Sequence, residues 1–293
     1  MIIRLHSITY GKTAKANLLK SRNVLCLATL LVTEALGGGF STELEQSDVK
    51  DSPAGQQKTV EVGDAKLTGS QLRPYFNLWT LTQQKPGGIG ETVGTWSDSL
   101  ETTNYEGRSA MKRTQIAKYD KKGIQLTFVS VFDPTTMAPF SFDYSRSDNG
   151  NIRHVEFRQE NVTYRHVDST GSKPEEATVK LNRQVFDFYG GMYGMLISTL
   201  PLAEGYTAKI PAFDTVKMAI DWVPVHVKGR ETVAAGARKK AETWVVETPT
   251  KLYGRMTWWV RKEPPYVIKA VLEVPEGEDG SGKVAAIITY TMV

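Results

Sequence analysis

The sequence predicts a mainly β fold in which an antiparallel sheet carries one packed helix near residues 185–199. Past Leu67, several stretches alternate apolar and polar side chains with a period of two, the pattern of strands with one buried face. Turn signals rich in Gly, Pro, Asn and Asp fall between those stretches, and one stretch follows the helical period instead. With 293 residues, 40% hydrophobic and 23% charged, the chain has the composition of a globular protein with a packed core.

The first element reads as an export signal. Arg4, Lys12, Lys15, Lys20 and Arg22 precede the apolar run Asn23–Val32, and the small residues Ala35 and Gly37–Gly39 follow it. The run is far shorter than the ~20 residues a bilayer-spanning helix needs. Residues 1–39 are therefore assigned as a signal peptide, and the expected location is periplasmic or secreted, not integral to a membrane. This segment holds five of the 36 Lys and Arg and one of the 32 Asp and Glu, which leaves 31 of each sign beyond Gly39. A formally neutral body lacks the basic surplus that phosphate backbones attract, so nucleic acid is not an expected partner. The only cysteine, Cys26, lies inside the apolar run, so a processed chain has no disulfide, thiolate metal site or cysteine nucleophile.

Residues 40–66 are rich in Glu, Gln, Asp, Lys and Ser with few large apolar side chains, the composition of a flexible linker. A single β-rich domain is expected over residues 67–293. In Ile124–Phe128 the even positions are apolar, and in Ala177–Leu181 the odd ones are. Leu252, Gly254, Met256, Trp258 and Val260 share one face of a strand, and Tyr266, Ile268, Ala270, Leu272 and Val274 share one face of the next. Pro264 and Pro265 enforce the turn between them, because proline supplies no backbone donor. Ser147–Gly150 and Gly277–Gly282 give two further hairpin turns, the second leading into the β-branched run Val284–Val293.

The helix is expected over Val185–Thr199, where Val185, Tyr189, Met192 and Leu196 fall on one stripe and Pro201 ends it. Its three glycines each weaken it by about 1 kcal/mol relative to alanine, so packing has to hold it. Gly190 and Gly194, four apart, suit close docking on the sheet.

The sequence carries no catalytic signature. Gly277–Lys283 has the glycine and lysine spacing of a phosphate-binding loop, but Val284 replaces the required Ser or Thr and a β-branched run stands where a helix is needed. Gly88, Gly90 and Gly94 miss the dinucleotide spacing and lack its strand-turn-helix frame. No Gly-x-Ser-x-Gly elbow and no His-Glu-x-x-His pair occurs. His154, His166 and His226 are read as solvated strand positions, with no catalytic residue, metal ligand or cofactor assigned. Trp222, Trp244, Trp258 and Trp259 cluster toward the end of the chain with Met192, Met195 and Met256, a composition that suits either an adaptable apolar cavity or a plain core.

The runs Phe132–Pro139, Leu200–Tyr206, Val227–Val233 and Trp258–Lys262 resemble an uncharacterised family of exported bacterial domains of unknown function, distantly similar to the lipoprotein carriers of the periplasm. The resemblance covers residues 70–293 and transfers no catalytic residues. It implies a strongly curved antiparallel sheet, an open or half barrel, with a helix on its concave side. It also implies a non-enzymatic protein that binds a hydrophobic ligand such as a lipid or acyl chain. Trp222, Trp258, Met192 and Met195 are then the expected lining. The alternative is a cell-envelope structural or assembly protein that presents its sheet to a protein partner.

Overall fold

The computed structural model describes residues 58–167, 174–237, 239–250, 254–276 and 283–293. The expected signal peptide, residues 40–57 of the expected linker, Leu252 and the Gly277–Gly282 turn lie outside the described residues.

One meander runs through β2 (Tyr75–Gln84), β3 (Glu91–Tyr105), β4 (Arg108–Tyr119), β5 (Ile124–Phe132), β6 (Pro139–Arg146), β7 (Ile152–Phe157), β8 (Asn161–Val167) and β9 (Glu175–Lys180), each antiparallel to the next. A second runs through β10 (Thr207–Asp214), β11 (Ala219–Ala234), β12 (Lys240–Thr250), β13 (Gly254–Val260), β14 (Val267–Pro275) and β15 (Val284–Met292). Antiparallel pairing of β15 with β2 joins them, and the short β1 (Lys58–Thr59) adds in parallel to β10. The result is one curved sheet whose ends, β1 and β9, are not hydrogen-bonded to each other. Its ends nevertheless approach: Phe157 of β7 meets Phe213 of β10 edge to face at 6.4 Å, although ten strands separate them in the sheet order.

Residues 58–66 correct the expected linker boundary. Val60 is 1% exposed, and its N–H donates to Lys209 O at 3.0 Å. Just after β1, Val60 joins the main core and Val62 packs against it, an anchor of two residues in a polar stretch that composition alone does not register.

Alternation decides the faces. On β3, Trp96, Asp98 and Leu100 are buried while Thr95, Ser97 and Ser99 are less so; on β5, Ile124, Leu126, Phe128, Ser130 and Phe132 form the inward row. Strand β14 departs from the expected single face. A β-bulge at Trp259 and Val260 inserts Ile268 as an extra residue, which turns it into an outer cluster with Ala235 and Ala241, while Val267, Ala270 and Leu272 join the main core.

The chain returns from β9 to β10 across the concave side. Its helical part is a π-turn at Phe188–Met192 followed by α1 (Tyr193–Thr199), which touches β13 and β14, while the π-turn touches β4, β5, β6 and β10. This is shorter than the expected 185–199. Phe186 is extended, bridges Ala212 of β10, and donates its N–H to Pro211 O at 2.8 Å. An available sheet edge thus captures the backbone that periodicity assigned to the helix, and Asp187 then caps the turn by accepting from Gly191 N–H at 3.1 Å. At the other end, Lys262 Nζ donates to Ser198 O at 2.8 Å and to Leu200 O, satisfying carbonyls that α1 leaves unpaired.

Close docking explains the glycines. A Cβ at Gly194 would lie 2.7 Å from ring carbons of Trp258 and 2.8 Å from Val267. Gly194→Val is therefore expected to destabilise the fold by roughly 1–3 kcal/mol through overpacking, seen as a Tm lower by several degrees in a thermal melt. An unchanged Tm would mean that α1 does not dock as closely as described.

Candidate functional site

Two polar clusters hold the π-turn on the sheet. Asp98 and Arg113 face each other on β3 and β4, each 1% exposed, in a bidentate pair: Arg113 Nε donates to Asp98 Oδ1 at 2.8 Å and Nη2 to Oδ2 at 2.7 Å. Tyr75 donates its hydroxyl to Asp98 Oδ2 at 2.8 Å, and Arg113 Nη1 donates to Gly191 O at 2.8 Å. With its amide oxygen turned toward both donors, Gln115 accepts from Trp96 Nε1 and Arg113 Nη2, each at 3.2 Å. Burial by itself would pull the guanidinium pKa down, but the Asp98 carboxylate outweighs it and holds it above the usual value.

The second cluster is Asp187 with Ser130, whose hydroxyl donates to Asp187 Oδ2 at 2.6 Å. Burial pushes Asp187 up to about 7, against the Ser130 and Gly191 donors, which favour the carboxylate. The first cluster is legible in retrospect as charged residues within inward rows, Trp96-Asp98-Leu100 and Met111-Arg113-Gln115, a signal the sequence reading missed.

The expected lining residues divide. Met192 and Met195 are wholly buried, and Trp258 is 3% exposed; all three belong to one core with the sheet. Trp258 stacks obliquely on Tyr193 with ring centroids 5.5 Å apart, and its Nε1–H donates to Thr248 Oγ1 at 2.9 Å. Trp222 is not with them. It lies on the opposite face of β11 from Val223 and Val225, half exposed, under the cations of Arg183 and Lys209.

Open space occurs at the lip of the sheet. A cavity of about 220 Å³ has an apolar wall of Ala138, Pro139, Phe140, Phe157 and Val185, with Arg108, Arg158, Gln159 and Gln184 around it. That is the volume of about seven waters. Glu106 holds both guanidinium groups at 3.1–3.2 Å, and Arg108 also lies 4.4 Å over the Phe140 ring.

The histidines separate as well. His154 pairs with Asp143 at 2.7 Å on the outer face. His166, expected to be solvated, is 6% exposed on the inner face, because the β7–β8 register sets it opposite Arg153 and His154 opposite Arg165. Among the described residues no group of three or more His, Cys, Asp or Glu is placed to hold a metal, and no helix is long and apolar enough to cross a membrane. Lys283 leads directly into β15, a strand where a phosphate loop requires a helix.

These features define a class of protein: an unclosed, strongly curved antiparallel sheet whose concave side is filled by the chain's own helix. The chain belongs to DUF3108, a protein family of unknown function, whose model matches residues 79–278. It is similar to a solved β-barrel-like protein of the domain of unknown function DUF1849 from Brucella abortus, at 8% identity and a TM-score of 0.47, over 76% of this chain and 96% of that one. No curated protein matches the chain.

Proposed function

We propose that this chain is an exported, non-enzymatic binding protein that takes up the apolar part of an amphiphilic ligand, such as a lipid or acyl chain. The observation that carries the reading is the lip cavity: an apolar wall ringed by two guanidinium and two amide groups, opening beside Val185, where the chain turns in to fill the concave side. At about 220 Å³ the cavity is smaller than the usual ligand pocket of ~300–1,000 Å³, so it holds a short apolar segment beside its polar rim. The His154–Asp143 pair lies outside that cavity, which supports binding over catalysis. Because Met192 and Met195 are wholly buried, a long chain reaches them only when α1 shifts on its bed.

Delipidated protein is expected to take up a fluorescent fatty acid, and Ala138→Trp, which fills the cavity from a partly exposed position, to weaken uptake about tenfold or more. Absence of uptake of both a fatty acid and a phospholipid rejects the ligand reading.

A second reading is an envelope assembly protein that presents its outer face to a protein partner. Phe76 and Leu78 favour it: they project from the outer side of β2, 71% and 39% exposed. Under that reading Phe76→Ser with Leu78→Ser abolishes partner capture and leaves fatty-acid uptake unchanged.

A further inference from the structure

The inner face of the sheet holds a cation without a counter-charge. Arg153 of β7 is 7% exposed, and among the described residues no carboxylate lies within ion-pair distance of it. A guanidinium left buried and uncompensated costs far more than an apolar side chain would. The ring of Tyr144, 5.8 Å away, offers only a cation–π contact.

The surroundings repeat the imbalance. Register sets Tyr144 of β6 and His166 of β8 directly opposite Arg153, and Arg146 lies two residues beyond Tyr144 on the same strand. The charged neighbours have partners of their own: Arg146 pairs with Asp148, and His166 lies 3.7 Å from Glu175. The Nε–H of Arg153 and the hydroxyl of Tyr144 are buried with no hydrogen-bond partner. Burial pushes the Tyr144 hydroxyl well above the usual tyrosine range, so it remains a donor.

We infer that Arg153 and Tyr144 form an oxyanion site on the inner face of the sheet, selective for a carboxylate or phosphate group. One group with several acceptor lone pairs satisfies both orphan donors and the cation together, which a water does not. The site is separate from the lip cavity: Arg153 and Phe157 lie four residues apart on β7, ~13 Å at strand rise.

The test uses the whole chain in chloride-free buffer, with inorganic phosphate and decanoate as separate probes. The decanoate arm is run in Ala138→Trp so that the lip cavity does not contribute. At about a hundredfold excess over Kd, the effective anion is expected to raise Tm by roughly 5–10 °C. Arg153→Met should weaken binding about tenfold or more and leave the unliganded chain at least as stable as wild type. Tyr144→Phe should weaken binding several-fold, and this variant decides the matter if Arg153→Met does not fold. A response to phosphate identifies a free oxyanion, and a response to decanoate alone identifies the head of an amphiphile. The inference is overturned if neither probe shifts Tm in wild type, or if Tyr144→Phe keeps the full response. It is also overturned if Arg153→Met is strongly destabilised while wild type ignores both anions, since the counter-charge is then internal.

Discussion

Asp98→Ala is expected to lower the unfolding free energy by about 3–5 kcal/mol. Arg113 would be left 1% exposed with its cation uncompensated, and Tyr75 would lose the acceptor for its hydroxyl. The loss also travels to the concave side, because the same guanidinium donates to Gly191 O and so fixes the π-turn that leads into α1. Urea denaturation checks this through a lower midpoint at unchanged slope. Asp98→Ala with Arg113→Met should recover most of the stability, since replacing both partners of a buried pair by apolar groups is close to neutral. If Asp98→Ala costs under about 1 kcal/mol, the pair is not dry as described.

The sheet was legible because its physics is local. A half-buried strand needs alternation and nothing else, so β5, β13 and most of β14 follow from side-chain spacing, and the Pro264–Pro265 and Ser147–Gly150 turns fall where proline and Asn-Gly demand them. What failed was long-range. Ile268 changes face because a bulge against β13 is decided by the partner strand, not by its own sequence. Phe186 leaves the helical stripe because β10, over twenty residues further on, offers it an edge. The candidate site suffered most. Met192, Met195 and Trp258 do converge, yet as packed core, while Trp222 has the right chemistry on the wrong face, and periodicity in β11 already placed it opposite Val223 and Val225. The lip cavity joins the ends of four separate chain segments, and no window of sequence contains it.

Stability should fall as pH rises from about 4 to about 7 by up to about 4 kcal/mol on account of Asp187 alone. Its carboxyl has a folded pKa near 7, raised from an ordinary value of 3.8. A group whose folded pKa is raised contributes its stability in full below the unfolded pKa and loses it as pH climbs to the folded one; about three units at 1.36 kcal/mol each set the size. Exposed carboxylates held low by arginine, such as Glu106 and Asp148, act in the opposite sense and only as pH drops below the ordinary carboxylate range, so the two effects occupy different windows. Asp187→Asn keeps an oxygen for the Ser130 and Gly191 donors without the ionisation, and should flatten the curve between pH 4 and 7. Parallel curves for wild type and Asp187→Asn would show that the carboxyl titrates alike in both states. Because Asp187 caps the turn into α1, the helix that fills the concave side is held least firmly where this carboxyl ionises. Ligand uptake that depends on shifting α1 should therefore be faster at pH 8 than at pH 5, and equally fast at both in Asp187→Asn.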